Sequence, residues 1–394
     1  MKQMTVCIIG AGYMGCIRAR SALLNPLCKV THIVDTESVR AAELARQCDC
    51  LWSTDWQAAI NNPEIDIVVV STPHKFLAPF TMAAAKLGKY VFCEKPMASS
   101  VAEAQAIVQA ANSFGRKDKT PGVLVGYTLR HHTAVATAHR MLMAGEIGQP
   151  YYIRAQYGHG GRPGYDQEWR MDKKLSGGGE LQDQGVHLID LSRWFLGDFP
   201  LVSGGIGTYH WTGTAYTDPP TKSFFPTSLE DVVEDNAFIL LRTKIGQAAH
   251  LHASWTQWKN SFQFEVFGRE GALIISGLGG SYGPEKLMHI RRNPEGGVPD
   301  MTEVSLGDTS DVWAREWNAF IGTIQPDPSG VTQDSQSATA VEGLEVLKIV
   351  ERLYDCARSG EAASSVVRNL AYQDNYDHYG PEGPNKFLKH LNSQ

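Results

Sequence analysis

The 394-residue chain lacks any stretch approaching the roughly 20 consecutive apolar residues that a membrane-spanning helix needs. No leader is expected either: Met1-Lys2-Gln3-Met4 runs straight into Thr5-Val6-Cys7-Ile8-Ile9, an apolar run too short for a signal peptide. A cytoplasmic location is the expectation. No CxxC pair occurs among Cys7, Cys16, Cys28, Cys48, Cys50, Cys93 and Cys356, and their number is odd. That spacing indicates neither a disulfide framework nor a zinc ribbon, and no metal site is expected. There is no block of like charge, and the net charge of -6 argues against a nucleic-acid or anionic-membrane binder. Internal repeats are absent too. What is present is 43% hydrophobic residues in a chain too long for one small core, so two domains are expected.

Over residues 1–127 strand and helix alternate. Thr5–Ile9, Val30–Val34, Ile65–Val70, Tyr90–Cys93 and Val123–Tyr127 read as strands. Tyr13–Leu24, Ser38–Gln47, Asp55–Ile60, Phe76–Leu87 and Ser99–Phe114 read as helices between them. Ile65–Val70 is nearly all apolar, as in a strand covered on both faces, so this half reads as a doubly wound parallel sheet. Beyond residue 127 the pattern changes. Tyr151–Tyr157, Asn236–Arg242, Gln247–Thr256, Phe262–Phe267 and Ala272–Ile275 alternate with period two, and Gly246 and Gly271 fall at turns. Residues 128–394 therefore predict a second α/β domain on a large, mainly antiparallel open sheet. Helices are expected at Thr133–Met143, Gly179–Leu196, Val312–Ile324 and Ser335–Arg358. Asp218–Asp231, with three prolines, reads as a surface loop, and the polar tail from Tyr372 as an arm.

Gly10-Ala11-Gly12-Tyr13-Met14-Gly15 fits G-x-G-x-x-G directly between a strand and a helix. The first glycine permits the tight turn, the second admits a pyrophosphate against the backbone, and the third lets the helix pack on the strand. Alone the motif is weak. Its context is Asp35, 20 residues after Gly15 at the end of the second strand, where a carboxylate accepts ribose hydroxyls. That carboxylate repels a 2′-phosphate and Thr36 supplies no cation, so NAD is favoured over NADP. Two further loops sit at the carboxyl ends of strands, where ligands bind in such sheets: Ser71-Thr72-Pro73-His74 and Glu94-Lys95-Pro96. Lys95 there can reach both a nicotinamide ribose and a substrate hydroxyl. As bare runs of three or four residues these loops are nonspecific.

Ser176-Gly177-Gly178-Gly179-Glu180-Leu181-Gln182-Asp183-Gln184-Gly185-Val186-His187-Leu188-Ile189-Asp190 carries more information. Asp183, His187 and Asp190 are spaced i, i+4 and i+7 on one helix face. An aspartate one turn before a histidine can orient the imidazole, and histidine suits taking a proton from an alcohol and returning it. An Asp–His pair that merely stabilises the helix fits the spacing equally well. Upstream, Arg162, Tyr165, Trp169 and Arg170 lie in a loop suited to lining a polyol pocket. His131-His132 and the His250/His252 pair read as surface or packing residues.

In order and spacing, GAGYMG, Asp35, STPH, EKP and GGGELQDQGVHLID resemble the Gfo/Idh/MocA family, whose namesakes include glucose–fructose oxidoreductase and inositol dehydrogenase. The resemblance runs from residue 5 to about 196, and the strands that follow suit the family's second domain. It implies a Rossmann domain, and a C-terminal open sheet that often serves as an oligomer interface, so a homodimer or homotetramer is expected. It also implies that the long helix near 335–358 packs back on the first domain. On this resemblance Lys95, Asp183 and His187 are the catalytic residues. Gly10, Gly12, Tyr13, Met14, Gly15, Asp35, Ser71, Thr72, Pro73, His74, Glu94 and Lys95 would contact NAD. Arg130, Tyr165, Trp169, Arg170, Asp183 and His187 would contact substrate. His74 stands where Asn is common in the family, and Gln182 and Gln184 replace residues that are often apolar. The activity implied is NAD-dependent hydride transfer at a hydroxyl-bearing carbon of a sugar or cyclitol. NAD-retaining glycoside hydrolysis by transient oxidation and elimination, and nucleotide sensing without turnover, are the alternatives.

Overall fold

A computed structural model describes residues 3–113, 122–211, 233–325 and 336–359. The loop expected at Asp218–Asp231 and the tail from Tyr372 lie outside the described residues.

Six parallel strands open the chain: β1 (Met4–Ile9), β2 (Cys28–Val34), β3 (Leu51–Ser53), β4 (Ile67–Val70), β5 (Tyr90–Glu94) and β6 (Val123–Gly126). Their order is β6-β5-β4-β1-β2-β3, so the chain reverses direction across the sheet between β1 and β4. That switch point is where open α/β sheets bind nucleotides. Helices α1 (Tyr13–Leu24), α2 (Ser38–Cys48), α3 (Trp56–Asn61), α4 (His74–Lys86) and α5 (Val101–Ser113) connect the strands. Successive side chains of β1 enter opposite cores: Val6 and Ile8 on one face, Cys7 and Ile9 on the other. β4 is buried at every residue, as its unbroken Ile-Val-Val-Val run predicts.

The second sheet follows α6 (Thr133–Met143). Its strands are β7 (Pro150–Gly158), β8 (Leu201–Gly207), β9 (Asn236–Arg242), β10 (Ala248–Ser254), β11 (Ser261–Gly268), β12 (Gly271–Ser276), β13 (Lys286–Arg291) and β14 (Asp300–Glu303). In the order β14-β13-β12-β11-β7-β10-β9-β8 every pair is antiparallel except β7 with β10. One face is packed; along β9 the other leaves Phe238 and Leu240 exposed. The packed face supports α8 (Val186–Leu196), whereas α7 (Lys173–Ser176) lies against α4.

The chain then returns to the first sheet. Trp317, Phe320 and Ile321 of α9 (Val312–Ile324) complete the core beneath β1 and β5. β15 (Ala338–Thr339) pairs antiparallel with β6, and α10 (Ala340–Ser359) lies against both α5 and β8. The expected helix over Ser335–Arg358 is thus a two-residue strand plus α10, with Ser335 outside the described residues. Phe114, the expected end of α5, also lies outside them. β3, β8, β13, β14 and β15 have no counterpart in the sequence reading. β3, β8, β14 and β15 are short, glycine-rich or polar edge segments in which alternation is too weak to register, and β13, paired on both sides, is a short run with charged ends.

Candidate active site

The glycine turn is built by close approach. A Cβ on Gly10, whose φ is 99°, would lie 2.5 Å from the Ser71 carbonyl, and one on Gly15 would lie 1.9 Å from the Gly10 carbonyl. At Gly12 a Cβ meets nothing within 4 Å, which leaves that side open for a phosphate. Gly12 caps α1 with no side-chain hydrogen bond, so first-turn amides remain for an anion. Ser71 Oγ donates to the Gly10 carbonyl at 2.9 Å and braces the turn from β4. Tyr13 is exposed and Met14 half-buried at the mouth. These residues fit a dinucleotide.

Asp35 does more than the sequence indicates. Its Oδ2 accepts from the Ala11 amide at 2.8 Å, tying β2 to the turn, and its Oδ1 accepts from the Glu37 amide and from Arg40 Nη2 at 3.3 Å. The expectation of no cation near this carboxylate is therefore corrected. Arg40, in the first turns of α2, folds back onto it.

Glu94 is also corrected. Phe92 and Glu94 share one face of β5, and that face looks down onto Arg18 rather than into the cleft. Arg18 bonds Glu94 at 2.6 Å and Glu316 of α9 at 2.6 Å, and stacks over Phe92 at 4.3 Å. Thr128 donates to Glu316 at 2.7 Å. The Glu94 carboxylate belongs to this buried network and is not free for a cofactor.

Lys95 follows on the opposite face. Its Nζ donates to Asp183 Oδ1 at 2.7 Å and to the Asp183 carbonyl at 2.6 Å. Asp183 Oδ2 accepts from Arg170 Nε at 3.2 Å. Burial pushes the Asp183 carboxyl up, but Lys95 and Arg170 outweigh it and hold the group well below the usual carboxylate range. The expected pairing of Asp183 with His187 does not form, because both oxygens are taken. Nδ1 of His187 is buried with no hydrogen-bond partner among the described residues, and the ring meets Tyr127 and Tyr157 at 5.9 and 6.1 Å. Burial and then the Lys95 ammonium push His187 far below the ordinary histidine range, so it is neutral.

The helix that carries this pair is not uniform. Leu181–Gly185 forms a π-helical turn, and the α-helix begins only at Val186. Wide turns of this kind recur at functional sites. Its N-terminus is held from elsewhere: one Glu234 carboxylate oxygen accepts from the Gly179 and Leu181 amides at 3.0 and 3.1 Å, and from Tyr354 Oη of α10 at 2.8 Å. A Cβ on Gly179 would lie 1.9 Å from the Glu234 carbonyl, and one on Gly178 would lie 2.0 Å from Tyr354 Oη. The glycines serve this close docking.

His74, at the start of α4, donates from Nδ1 to the Ser176 carbonyl at 2.8 Å and so ties the first domain to the approach of the glycine segment. It is a buried latch rather than the free cofactor contact expected. Burial, then Lys95, push its pKa to about 3, and burial and Arg130 push the packed His131 to about 3 as well. Both imidazoles are neutral when folded and near 6.5 when unfolded, so below pH 6.5 the unfolded chain binds more protons. Stability is therefore full above pH 6.5 and falls as pH drops toward 3. His74→Asn should reduce the loss of urea midpoint between pH 7 and pH 5; an unchanged loss would remove His74 as a contributor.

Among the expected substrate contacts, Trp169 and Arg170 reach the cleft. Trp169 meets His74 edge-on at 4.8 Å, and Arg170 lies over the Trp169 ring at 4.7 Å. Tyr165 is corrected as a stacking surface: His159, Trp211 and Trp255 cage its ring at 5.2 to 5.5 Å, and it is buried. Arg130 is corrected outright. It is 1% exposed, forks onto Asp190 at 2.8 and 2.6 Å and bonds Glu342 of α10 at 2.8 Å. Asp190, third of the helix-face trio, is thereby a core partner. Sequence reading missed Tyr157, Tyr282 and Glu234, which only the second sheet and its loops bring to the helix.

Residues 4–118 match the model of an oxidoreductase family with an NAD-binding Rossmann fold, and residues 135–274 match a GFO/IDH/MocA C-terminal domain. The chain is 31% identical to the 1,5-anhydro-D-fructose reductase of Ensifer adhaerens, over 66% of this chain and 70% of that protein. It is 28% identical to the levoglucosan dehydrogenase of Pseudarthrobacter phenanthrenivorans, over 70% and 74%. A solved levoglucosan dehydrogenase in complex with NADH and levoglucosan superposes with a TM-score of 0.74 at 23% identity, covering 91% of this chain and 98% of that one, which establishes the shared fold. The glycine turn with its strand-end acid, the paired sheets and these matches together place the chain in the Gfo/Idh/MocA oxidoreductase family.

Proposed function

We propose that the protein is an NAD-dependent dehydrogenase acting on a hydroxyl-bearing carbon of a sugar, anhydrosugar or cyclitol. The observation that carries this reading is the Lys95–Asp183 pair, in which a lysine at the carboxyl edge of β5 meets an aspartate delivered by the other domain. The relatives named for anhydrosugar chemistry support the substrate class. Gly10, Gly12, Gly15 and Asp35 would hold NAD, with Ser71 bracing the turn. When bound, NAD supplies the hydride acceptor.

The remaining roles belong to the chain's own side chains. Lys95 hydrogen-bonds the reacting oxygen and stabilises negative charge as it develops there. Asp183 keeps that ammonium aimed and charged, and Arg170 fixes the second Asp183 oxygen. His187, neutral, accepts the hydroxyl proton. Trp169 offers an aromatic face at the cleft. Incubation with excess NAD and a panel of free sugars, anhydrosugars, cyclitols and glycosides should yield NADH with at least one polyol. Sugar release without NADH would favour the hydrolytic alternative, and NAD binding with no turnover a sensor.

Cofactor preference follows from Asp35 and Arg40. The carboxylate disfavours a 2′-phosphate, while Arg40 beside it is a ready phosphate ligand once the acid is gone. Asp35→Ser should shift kcat/KM toward NADP by about tenfold, the equivalent of about 1.4 kcal/mol. Arg40→Ala added to it should abolish that gain. Unchanged preference in Asp35→Ser would show that discrimination lies elsewhere. The open sheet face with Phe238 and Leu240 exposed supports a homo-oligomer, measurable by light scattering.

A further inference from the structure

The place of Asp183 is fixed by a run of hydrogen bonds that starts on the second sheet. Glu234 and Asp235 stand immediately before β9, and both are buried. Asp235 is pinned on three sides. Its amide donates to the Gly207 carbonyl at 3.0 Å, and its carbonyl accepts from the Trp255 amide at 2.8 Å. Its carboxylate accepts from the Tyr209, His210 and Trp211 amides at 2.7 to 3.0 Å. Glu234 therefore starts from a fixed corner of the sheet.

From there each step to the reacting centre is a hydrogen bond. Tyr354 Oη of α10 donates to Glu234 Oε1 at 2.8 Å, and the same oxygen accepts from the Gly179 and Leu181 amides at 3.0 and 3.1 Å. The Glu234 carbonyl accepts from the amide of Glu180 at 2.8 Å and holds that residue, 0% exposed, in place. The Gly179 carbonyl then accepts from the Asp183 amide at 3.0 Å. Asp183 ends the run by accepting from Lys95 Nζ on its carboxylate at 2.7 Å and on its carbonyl at 2.6 Å. The segment has no room to shift, since a Cβ on Gly179 or Gly178 would overlap the Glu234 carbonyl or the Tyr354 hydroxyl. The turn held in this way is the widened one, Leu181–Gly185. In a regular helix an interior carbonyl is committed to the amide four residues on; here Asp183 offers its carbonyl to Lys95.

We propose that Glu234, braced by Tyr354, is a positioning residue that aims Asp183, and through it the Lys95 ammonium, at the reacting oxygen. This rests on the dehydrogenase reading, in which Lys95 meets that oxygen. Glu234 acts through Gly179 and Asp183 rather than on the substrate. A helix cap with no part in the reaction would affect stability alone, so the two roles separate in the kinetics of folded variants.

Glu234→Ala removes the acceptor. In the folded variant kcat should fall about 10²-fold, the cost of misplacing a reacting group by about 1 Å, with the polyol KM and the NAD dissociation constant within about twofold of the wild type. Glu234→Gln keeps an acceptor oxygen of the same reach and should hold kcat within about threefold of the wild type. The pH profile is the second readout. Against burial, Lys95 and then Arg170, with His74 behind them, hold Asp183 ionised well below the usual carboxylate range. Once Asp183 is no longer held against them, its pKa rises toward about 4. The kcat of Glu234→Ala should then fall more steeply between about pH 6 and about pH 4 than that of the wild type or Glu234→Gln. A lowered urea midpoint with wild-type kcat and pH profile in the folded fraction would reduce Glu234 to a cap and overturn the proposal. If Glu234→Ala does not fold, Tyr354→Phe, which removes one donor, should lower kcat about fivefold at unchanged KM, and wild-type kcat there overturns the proposal. NADH formation by the wild type with no kinetic change in these variants sinks the positioning role alone. Failure of the wild type to form NADH from any polyol sinks the dehydrogenase reading, and the positioning role with it.

Discussion

Replacing Lys95 by Met lowers kcat by about 10³-fold while leaving the NAD dissociation constant within about twofold of the wild type. The magnitude is that of losing one general acid–base or oxyanion-stabilising group. Methionine keeps the length of the side chain and removes the charge, so the cleft is not emptied. NAD affinity is spared because the ammonium is spent on Asp183 Oδ1 and on the Asp183 carbonyl rather than on the phosphate turn. Losing it also leaves the Asp183 carboxylate with Arg170 alone, which weakens the tie between the two domains. Titration of NAD by protein fluorescence and NADH formation with the best polyol measure both halves. Turnover within tenfold of the wild type would remove Lys95 from the chemistry, and with it the central feature of the proposed site.

Arg130→Met should cost about 3–5 kcal/mol of stability, seen as a lowered urea midpoint, because removing one partner of a buried pair strands the other. Asp190 would be left at 0% exposure without its hydrogen-bonded counter-charge, and Glu342 of α10 would lose its bond to the segment that follows β6. The KM for the sugar should not change in the fraction that folds. Replacing the partner as well, in Arg130→Met/Asp190→Leu, should recover much of the loss, since an apolar pair of similar volume has no stranded charge. A normal urea midpoint with a tenfold higher KM would mean that Arg130 contacts substrate after all.

The first domain was legible because its signals are local. A glycine turn needs six consecutive residues, the strand-end acid lies one βαβ step away, and strands covered on both faces read as unbroken apolar runs. The antiparallel strands of the second sheet showed wherever one face is packed, as at Asn236–Arg242, and vanished at the edges, as at Leu201–Gly207 with its three glycines. Glu94 was misassigned although a signal existed. Period-two alternation puts it with Phe92, so a strand-end position alone does not make a cofactor ligand. For Arg130 no such signal existed, since its partners are 60 and 212 residues away. Arg18 and Glu316, 298 residues apart, are beyond any local pattern.

The order of residues by itself determined the family and the glycine turn with its strand-end acid, and it put Lys95, Asp183 and His187 forward as candidates, because each signal depends on neighbours along one strand or one helix. Only the tertiary structure decided which charges those residues meet. It turned Asp183 toward Lys95 and Arg170 instead of His187, withdrew Arg130 and Glu94 into the core, and enclosed Glu180. Electrostatic partners are chosen by distance in space, and the two domains and the returning C-terminal segments set those distances.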